Sequence, residues 1–333
     1  MVNEVTKLLG IKYPIIQGAM NWLTDANFVA AVSKAGALGI LGPNAGQTTV
    51  TNDPQVLASR MQEQVQAVKE ITTAPFGITL NLHQDRTGIA AVDELTNLVI
   101  DEQVPVVLLT LTNCNDDFQT ARQLVKTFHH HQTKVLVRTQ HPTVADAQLA
   151  EQMEADLYII TSFDEGGGNL PAITFGTFAG VVGIADQVEI PIACAGGISD
   201  ARAVRAVCAL GAQAVYVGTC LIPTWENPAA KKVKQLIVDS KIEDLTLYRT
   251  TPAYYRLLPT GLRDKLIENA RIRNLEHALQ INSTLMDNQN GLRRGMLQGD
   301  FDNGYVTVGT GISRINEIMT VKEVIRQLAK GFA

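Results

Sequence analysis

Eight short apolar runs, rich in β-branched residues, divide the first two thirds of this 333-residue chain at regular intervals. Each run is apolar almost throughout instead of alternating with polar residues, which is typical of strands buried on both faces of a parallel sheet. The eight runs are Pro14–Gly18, Gly39–Pro43, Phe76–Leu82, Val104–Thr110, Lys134–Thr139, Ala155–Thr161, Pro191–Gly197 and Ala214–Thr219. Amphipathic helical patterns separate them, at Asp25–Ala35, Pro54–Ile71, Asp93–Glu102, Asp117–His130 and Val144–Met153. The sequence therefore predicts an α/β fold of eight strand–helix units.

Eight such units are the number found in a TIM (β/α)₈ barrel, whereas an open doubly wound sheet normally has fewer strands. The turn after the first run also lacks the GxGxxG pattern of dinucleotide-binding sheets. We predict a TIM barrel from residues 1–224 and 296–333, with a helical insertion after strand 8 at residues 225–295 near the barrel mouth. Within the insertion, Pro228–Ser240 and Gly261–Ala278 have helical patterns and Leu245–Thr251 reads as extended. A last helix is expected at Thr320–Lys330.

The composition of the chain argues against several classes of binding partner. A net charge of −5 argues against nucleic acid or an anionic membrane surface. No apolar run approaches the roughly 20 residues that span a bilayer, and the first residues lack a signal-peptide pattern. The four cysteines form neither a CxxC pair nor zinc-ligand spacing, which indicates core thiols and no metal site. We expect a cytoplasmic protein that acts on a small molecule.

Glycines and a small hydroxyl residue end the last two predicted strands. Gly196 and Gly197 follow the seventh run, and Gly218 and Thr219 follow the eighth. Main-chain N–H groups are accessible at such positions, and the loops after strands 7 and 8 of a barrel are its usual phosphate site. The alternative is that these glycines only permit close strand–helix packing. The sequence predicts a phosphorylated cofactor here.

The other strand ends carry hydroxyls, amides and glycines, with no cluster of Asp, Glu, His and Lys. Hydrolysis or Schiff-base chemistry needs an activated nucleophile or a poised lysine, which this set does not supply. Such ends suit a bound cofactor that carries the reactivity itself.

Several motifs, in order and spacing, resemble those of the nitronate monooxygenase family. They are YPIIQGAM, SKAGALGILG, PFGITLN, EGGG, ACAGGISD, YVGT and a late GDxDxG. The resemblance covers the chain from residue 8 to about 315. That family includes the former 2-nitropropane dioxygenases and the flavin-dependent enoyl-acyl-carrier-protein reductase II.

The resemblance implies a TIM barrel that holds non-covalent FMN. The flavin ring would lie over the barrel mouth near Gly18, Ala19 and Met20, and Gly196, Gly197, Gly218 and Thr219 would hold the phosphate. Ring and ribityl contacts would come from the side chains of Thr79, Asn81 and Gln140, and from the backbone of Gly166 and Gly167.

One departure concerns catalysis. Family members that oxidise nitronates usually carry a histidine in the loop after strand 6, in an AGGH-like run, whereas here that position falls on Gly168 or Asn169. Neither residue can take a proton near neutral pH. His83, after the third strand, is a candidate replacement, and His141 is a second one. We therefore take His83, Asn169 and Gly168 as the candidate catalytic positions.

The expected function is an FMN-dependent oxidoreductase that oxidises a nitronate or NAD(P)H through the bound flavin. The runner-up is an NAD(P)H-dependent enoyl-acyl-carrier-protein reductase II, with an acyl carrier protein as partner. An alternative of another class is a non-catalytic flavin-binding barrel. A homodimer is compatible with all three.

Overall fold

The computed structural model describes residues 3–82, 91–140, 142–167, 175–249, 254–272, 274–288 and 290–332. Eight parallel strands form one sheet: β1 (Ile15–Gln17), β2 (Gly39–Leu41), β3 (Phe76–Asn81), β4 (Val106–Leu111), β5 (Lys134–Thr139), β6 (Leu157–Thr161), β7 (Ile192–Ala195) and β8 (Ala214–Val217). Each strand pairs with its sequence neighbour, and β8 pairs with β1. A parallel bridge between Ile16 and Leu38 joins β1 to β2. The predicted TIM barrel is confirmed.

Helices alternate with the strands along the barrel. They are α1 (Glu4–Leu9), α2 (Ala26–Lys34), α3 (Pro54–Ile71), α4 (Val92–Asp101), α5 (Cys114–His130), α6 (Val144–Gln152), α7 (Thr177–Ala185) and α8 (Ala201–Ala209). Several begin at side-chain caps. Asp53 accepts from the N–H groups of Gln55 and Val56 at the start of α3. Pro54, the first residue of this helix, has no N–H group and therefore leaves no donor unpaired.

After β8 the chain leaves this alternation. A short 3₁₀ turn (Thr219–Leu221) is followed by α9 (Lys231–Asp239), the antiparallel pair β9 (Thr246–Arg249) and β10 (Tyr254–Leu257), α10 (Gly261–Ile272), α11 (Leu275–Ser283) and α12 (Gly291–Arg293). The single helix expected over residues 261–278 is two helices, because Asn274 caps a new one by accepting from the N–H of His277. Helix α13 (Val321–Ala329) ends the fold, capped by Thr320 and Glu323.

The barrel interior is apolar at the amino ends of the strands and polar at their carboxyl ends. Side chains such as Ile16, Ile40, Leu108 and Leu136 fill the lower part and are fully or almost fully buried. Above them the inward-facing strand positions carry a different kind of side chain: Thr79, Thr110, Arg138, Thr161 and Tyr216. A packed lower core thus supports a polar surface on the face where barrel active sites form.

None of the helices in the described part of the chain is long and apolar enough to cross a bilayer. The four cysteines, all described, are free thiols, and Cys114, Cys194 and Cys220 are buried. Burial raises the pKa of the Cys220 thiol to about 12.

Candidate active site at the carboxyl edge of the barrel

A cavity opens at the carboxyl ends of the strands, above the polar layer. Its volume is about 260 Å³, and it is open to solvent at its mouth. The loops after β1, β6, β7 and β8 line it, together with residues that follow α11. Eight of the lining residues are glycines: Gly18, Gly166, Gly167, Gly196, Gly197, Gly218, Gly309 and Gly311.

The ends of β7 and β8 present main-chain donors to this cavity. Gly196 and Gly197 have φ angles of +107° and +70°, which L side chains rarely adopt. Among the described residues, no hydrogen-bond acceptor takes the N–H groups of Gly196, Gly218 or Thr219. The N–H of Gly197, in contrast, donates to the carbonyl of Asp164 over 3.1 Å. Three amides at these two strand ends are therefore available to an anion.

Asp164 connects three of the loops around the cavity. Its carbonyl accepts from the N–H groups of Gly197 and Thr310, over 3.1 Å and 3.0 Å. Its carboxylate accepts from the N–H of Thr177 at the start of α7, over 2.7 Å, and from the hydroxyl of Thr310 over 3.1 Å. The loop after β6, the end of β7 and the segment near residue 310 are thereby held in one arrangement.

The same segment packs against the loop after β6 without side chains between them. A Cβ on Gly166 would lie 2.4 Å from the N of Gly309, and a Cβ on Gly309 would lie 2.9 Å from the carbonyl oxygen of Asp164. The N–H of Gly309 donates to Thr219 Oγ1 over 2.8 Å. Glycine at these positions allows two backbones to meet at the wall of the cavity.

A charged pair also lines the cavity. Arg138 Nη2 on β5 lies 2.9 Å from Glu165 Oε2 after β6, and Arg138 Nε donates to Thr161 Oγ1 over 2.7 Å. Burial opposes the charge of Arg138, but the Glu165 carboxylate together with the Tyr216 and Tyr158 hydroxyls raises the pKa of the guanidinium. Burial also raises the pKa of the Glu165 carboxyl, against the opposing pull of Arg138 and Arg256.

Tyr216 on β8 lies beside them. Its hydroxyl accepts from the N–H of Ala19 over 2.8 Å, so its own proton is free to be donated towards the cavity that the ring lines. Burial raises the pKa of this hydroxyl, which keeps it protonated. The Ala19 amide is thus occupied within the protein.

The predicted cofactor residues divide into two groups. Nine line the cavity: Gly18, Ala19, Met20, Gly166, Gly167, Gly196, Gly197, Gly218 and Thr219. Thr79, Asn81 and Gln140 are not among the lining residues. Thr79 is buried and its hydroxyl donates to the carbonyl of Leu108 over 3.3 Å, while Asn81 and Gln140 are half-buried at the ends of β3 and β5. His83, Gly168 and Asn169, the predicted catalytic positions, lie outside the described residues.

A model of the family described as nitronate monooxygenase matches residues 3–331. The chain belongs to the nitronate monooxygenase family. A probable nitronate monooxygenase of Staphylococcus haemolyticus is 26% identical over 301 residues, which cover 81% of this chain and 80% of that relative. A Staphylococcus aureus relative with the same description is 26% identical over 306 residues, covering 80% of this chain and 79% of its own length.

Solved structures are also similar to this chain over nearly its whole length. FabK from Thermotoga maritima superposes with a TM-score of 0.81 at 29% identity, over 100% of this chain and 96% of FabK. A nitroalkane oxidase from Streptomyces ansochromogenes gives 0.75 at 21% identity, over 98% and 96%, and at this identity the likeness shows the fold alone. This member of the nitronate monooxygenase family is therefore a flavin-dependent oxidoreductase, and a small-molecule substrate fits it.

The cavity of this nitronate monooxygenase family member fits a phosphorylated flavin. Its glycine cradle offers unpaired N–H groups to an anion without a lysine among the described lining residues. Thr307 Oγ1 lines the cavity and is buried without a hydrogen-bond partner among the described residues, as expected for a group that meets a ligand.

Arg138, Glu165 and Tyr216 were not predicted as site residues. The signal for Arg138 is a charged residue at an inward-facing position of a buried strand, which requires a partner. Glu165 lies in the EGGG motif and Tyr216 lies in the YVGT motif, but only the glycines and the threonine of these motifs were predicted as site residues. Only the structure shows that the loop after β6 brings Glu165 against Arg138 of β5.

Proposed function

We propose that this protein binds FMN in the cavity and oxidises a nitronate through it. The observation that supports this proposal best is the row of unpaired amides at the ends of β7 and β8, in a chain of this family. A helix or strand end with several such N–H groups binds phosphate without lysine. FMN, when bound, supplies the redox chemistry by accepting electrons from the substrate and passing them to an acceptor.

In this proposal the N–H groups of Gly196, Gly218 and Thr219 hold the phosphate, and Gly197 contributes its backbone turn. Gly18 and Met20 shape the wall beside the ring, and Tyr216 offers a hydroxyl donor. Arg138, paired with Glu165, lines the wall of the cavity. Thr79, Asn81 and Gln140, on or directly after β3 and β5, do not line this cavity, and their contacts with the flavin stay predictions.

The need for a base distinguishes the two candidate substrates, a neutral nitroalkane and a nitronate. A neutral nitroalkane must lose a carbon-bound proton, which requires a positioned base. Among the described lining residues the one carboxylate is Glu165, which is paired with Arg138, and there is no histidine. A nitronate is already deprotonated and needs no such base. The proposed substrate is therefore the anion rather than the neutral nitroalkane.

The experiment begins with purified protein. Cofactor released by acid is expected to be FMN, identified by chromatography. Ethyl nitronate, prepared by prior incubation of nitroethane in alkali, is expected to bleach the bound flavin anaerobically at least a hundredfold faster than neutral nitroethane. Equal rates with both forms would contradict the assignment of substrate, and the absence of flavin after reconstitution with FMN would contradict the assignment of cofactor.

A second candidate is reduction of an enoyl thioester with NAD(P)H. The likeness to FabK, at 29% identity over the whole chain, favours it. In that case NADH or NADPH would bleach the flavin, and crotonyl thioester would restore the oxidised spectrum faster than nitronate reacts. An acyl carrier protein as donor of the thioester, and a homodimer, belong to this proposal and are tested by comparing carrier-bound with free thioester and by light scattering.

A further inference from the structure

The wall of the cavity holds two opposite charges in contact. Arg138 and Glu165 are the charged residues among its described lining residues, and their nearest nitrogen and oxygen are 2.9 Å apart. Their side chains are 20% and 17% exposed, so both are largely shielded from water. Charges in such surroundings act over longer distances than charges in solvent.

The protein fixes this contact from several directions. Arg138 Nε is held by Thr161 Oγ1 at 2.7 Å, which orients the guanidinium towards the loop after β6. On the other side, Arg256 of β10 donates to the main-chain carbonyl of Glu165 and, over 2.7 Å, to that of Phe163. Arg256 is 4% exposed and its guanidinium lies 4.8 Å from the centre of the Phe163 ring. Arg138 therefore cannot turn away without breaking its bond to Thr161, and Arg256 fixes the main chain from which the Glu165 side chain extends.

A fixed pair presents little net charge to a ligand above it. The carboxylate of Glu165 cancels most of the field of Arg138, and removal of either partner leaves a full charge of one sign facing the cavity. Reduction adds negative charge to a flavin ring, and nearby charge is one of the means by which a protein tunes the potential of a cofactor. The balance between Arg138 and Glu165 therefore bears directly on how easily the cofactor is reduced.

We propose that the Arg138–Glu165 pair sets the reduction equilibrium of the bound flavin, and that the carboxylate of Glu165 offsets the positive charge of Arg138. This inference rests on the proposed binding of FMN in the cavity. The other ionisable groups near the pair are Tyr158 of β6, Tyr216 of β8, Arg256 of β10 and Asp164, next to Glu165 in the loop. Those four are unchanged in every variant below, so their contribution cancels in the comparison.

The experiment compares Glu165→Gln, Arg138→Gln and the double variant, each reconstituted with FMN. The two-electron reduction equilibrium is measured against a reference dye at pH 8, far above the ordinary pKa of a glutamate carboxyl. Glu165→Gln is expected to favour reduction at least tenfold, or about 30 mV upward. Arg138→Gln is expected to disfavour it by a similar factor, and the double variant to lie within threefold of the parent.

Opposite signs that cancel in the double variant are the signature of charge, since a loss of packing would move both single variants in one direction. Shifts of the same sign, or no shift in either, would overturn the proposal. Should Arg138→Gln fail to fold, Glu165→Asp replaces it: this variant keeps the charge and is expected to keep the parent equilibrium, and a shift equal to that of Glu165→Gln would overturn the proposal. Failure of the parent protein to bind FMN would instead contradict the proposed function.

Discussion

The two adjacent glycines Gly166 and Gly167 differ in the space around them. A Cβ on Gly166 would lie 2.4 Å from the N of Gly309 and 2.6 Å from the carbonyl carbon of Val308, both of them backbone atoms. A Cβ on Gly167 would have nothing within 4 Å. The sequence shows only a run of glycines, and the packing against residues 308 and 309 separates their roles.

This difference gives a matched pair of variants. Gly166→Ala is expected to lower the free energy of unfolding by about 1–3 kcal/mol, because two backbones must move apart to admit the methyl group. Gly167→Ala is expected to stay within about 0.5 kcal/mol of the parent. Urea unfolding of both proteins without added flavin measures the difference. Equal destabilisation of the two would mean that the close contact with Gly309 does not limit this loop.

At the scale of elements, the side chain of Arg256 on β10 connects the β9–β10 hairpin to the loop after β6. Arg256 is buried and donates to the carbonyls of Phe163 and Glu165, which are themselves half-buried. Burial lowers the pKa of Arg256, with the charges of Asp164 and Glu165 opposing that effect. The hairpin therefore takes part in shaping the loop that carries the cavity carboxylate.

Replacement of this arginine tests the connection. Arg256→Met is expected to destabilise the loop by about 1–3 kcal/mol, since two carbonyls lose their donor. FMN affinity is then expected to fall about tenfold, measured by fluorescence titration. Arg271→Met, which removes an exposed arginine from α10, serves as the control and is expected to bind FMN like the parent. A parent-like affinity for Arg256→Met would show that the loop keeps its shape without the hairpin.

The elements also show what sequence patterns can and cannot predict. The strands of the barrel were predictable because a buried parallel strand is apolar throughout, and α3 was predicted with the bounds that it has. The break between α10 and α11 was not, because Asn274 is an ordinary helix residue until its cap is seen. Glycine-rich strand ends signal a site by their composition, whereas the contact of Arg138 with Glu165 depends on how the loop after β6 folds against β5.

At the scale of the whole molecule, the cavity joins both ends of the chain. Ala19 and Met20 come from the first strand–helix unit, while Thr307, Gly309 and Gly311 come from the return segment before α13. Between them, residues 225–295, which we propose to treat as an insertion, contribute Leu292. A ligand in this cavity contacts segments nearly 300 residues apart, and so its binding must be coupled to the unfolding of the whole barrel.

The phosphate of FMN is expected to contribute much of this coupling between ligand binding and unfolding. FMN at 100 times its dissociation constant is expected to raise the free energy of unfolding by about 2.7 kcal/mol. Riboflavin at the same concentration has the same ring but no phosphate for the amides of Gly196, Gly218 and Thr219, so a smaller rise is expected. Urea unfolding with each ligand measures the difference.

The variant Gly196→Ala tests whether the difference in stabilisation between FMN and riboflavin arises at the ends of β7 and β8. Its Cβ would lie 2.9 Å from Thr177 Oγ1 and 3.1 Å from the N of Glu165, at a φ of +107° that alanine rarely adopts. The turn must therefore change, and the N–H groups lose their common direction. We expect FMN and riboflavin to stabilise this variant equally, whereas a persistent advantage of FMN would place the phosphate elsewhere in the cavity.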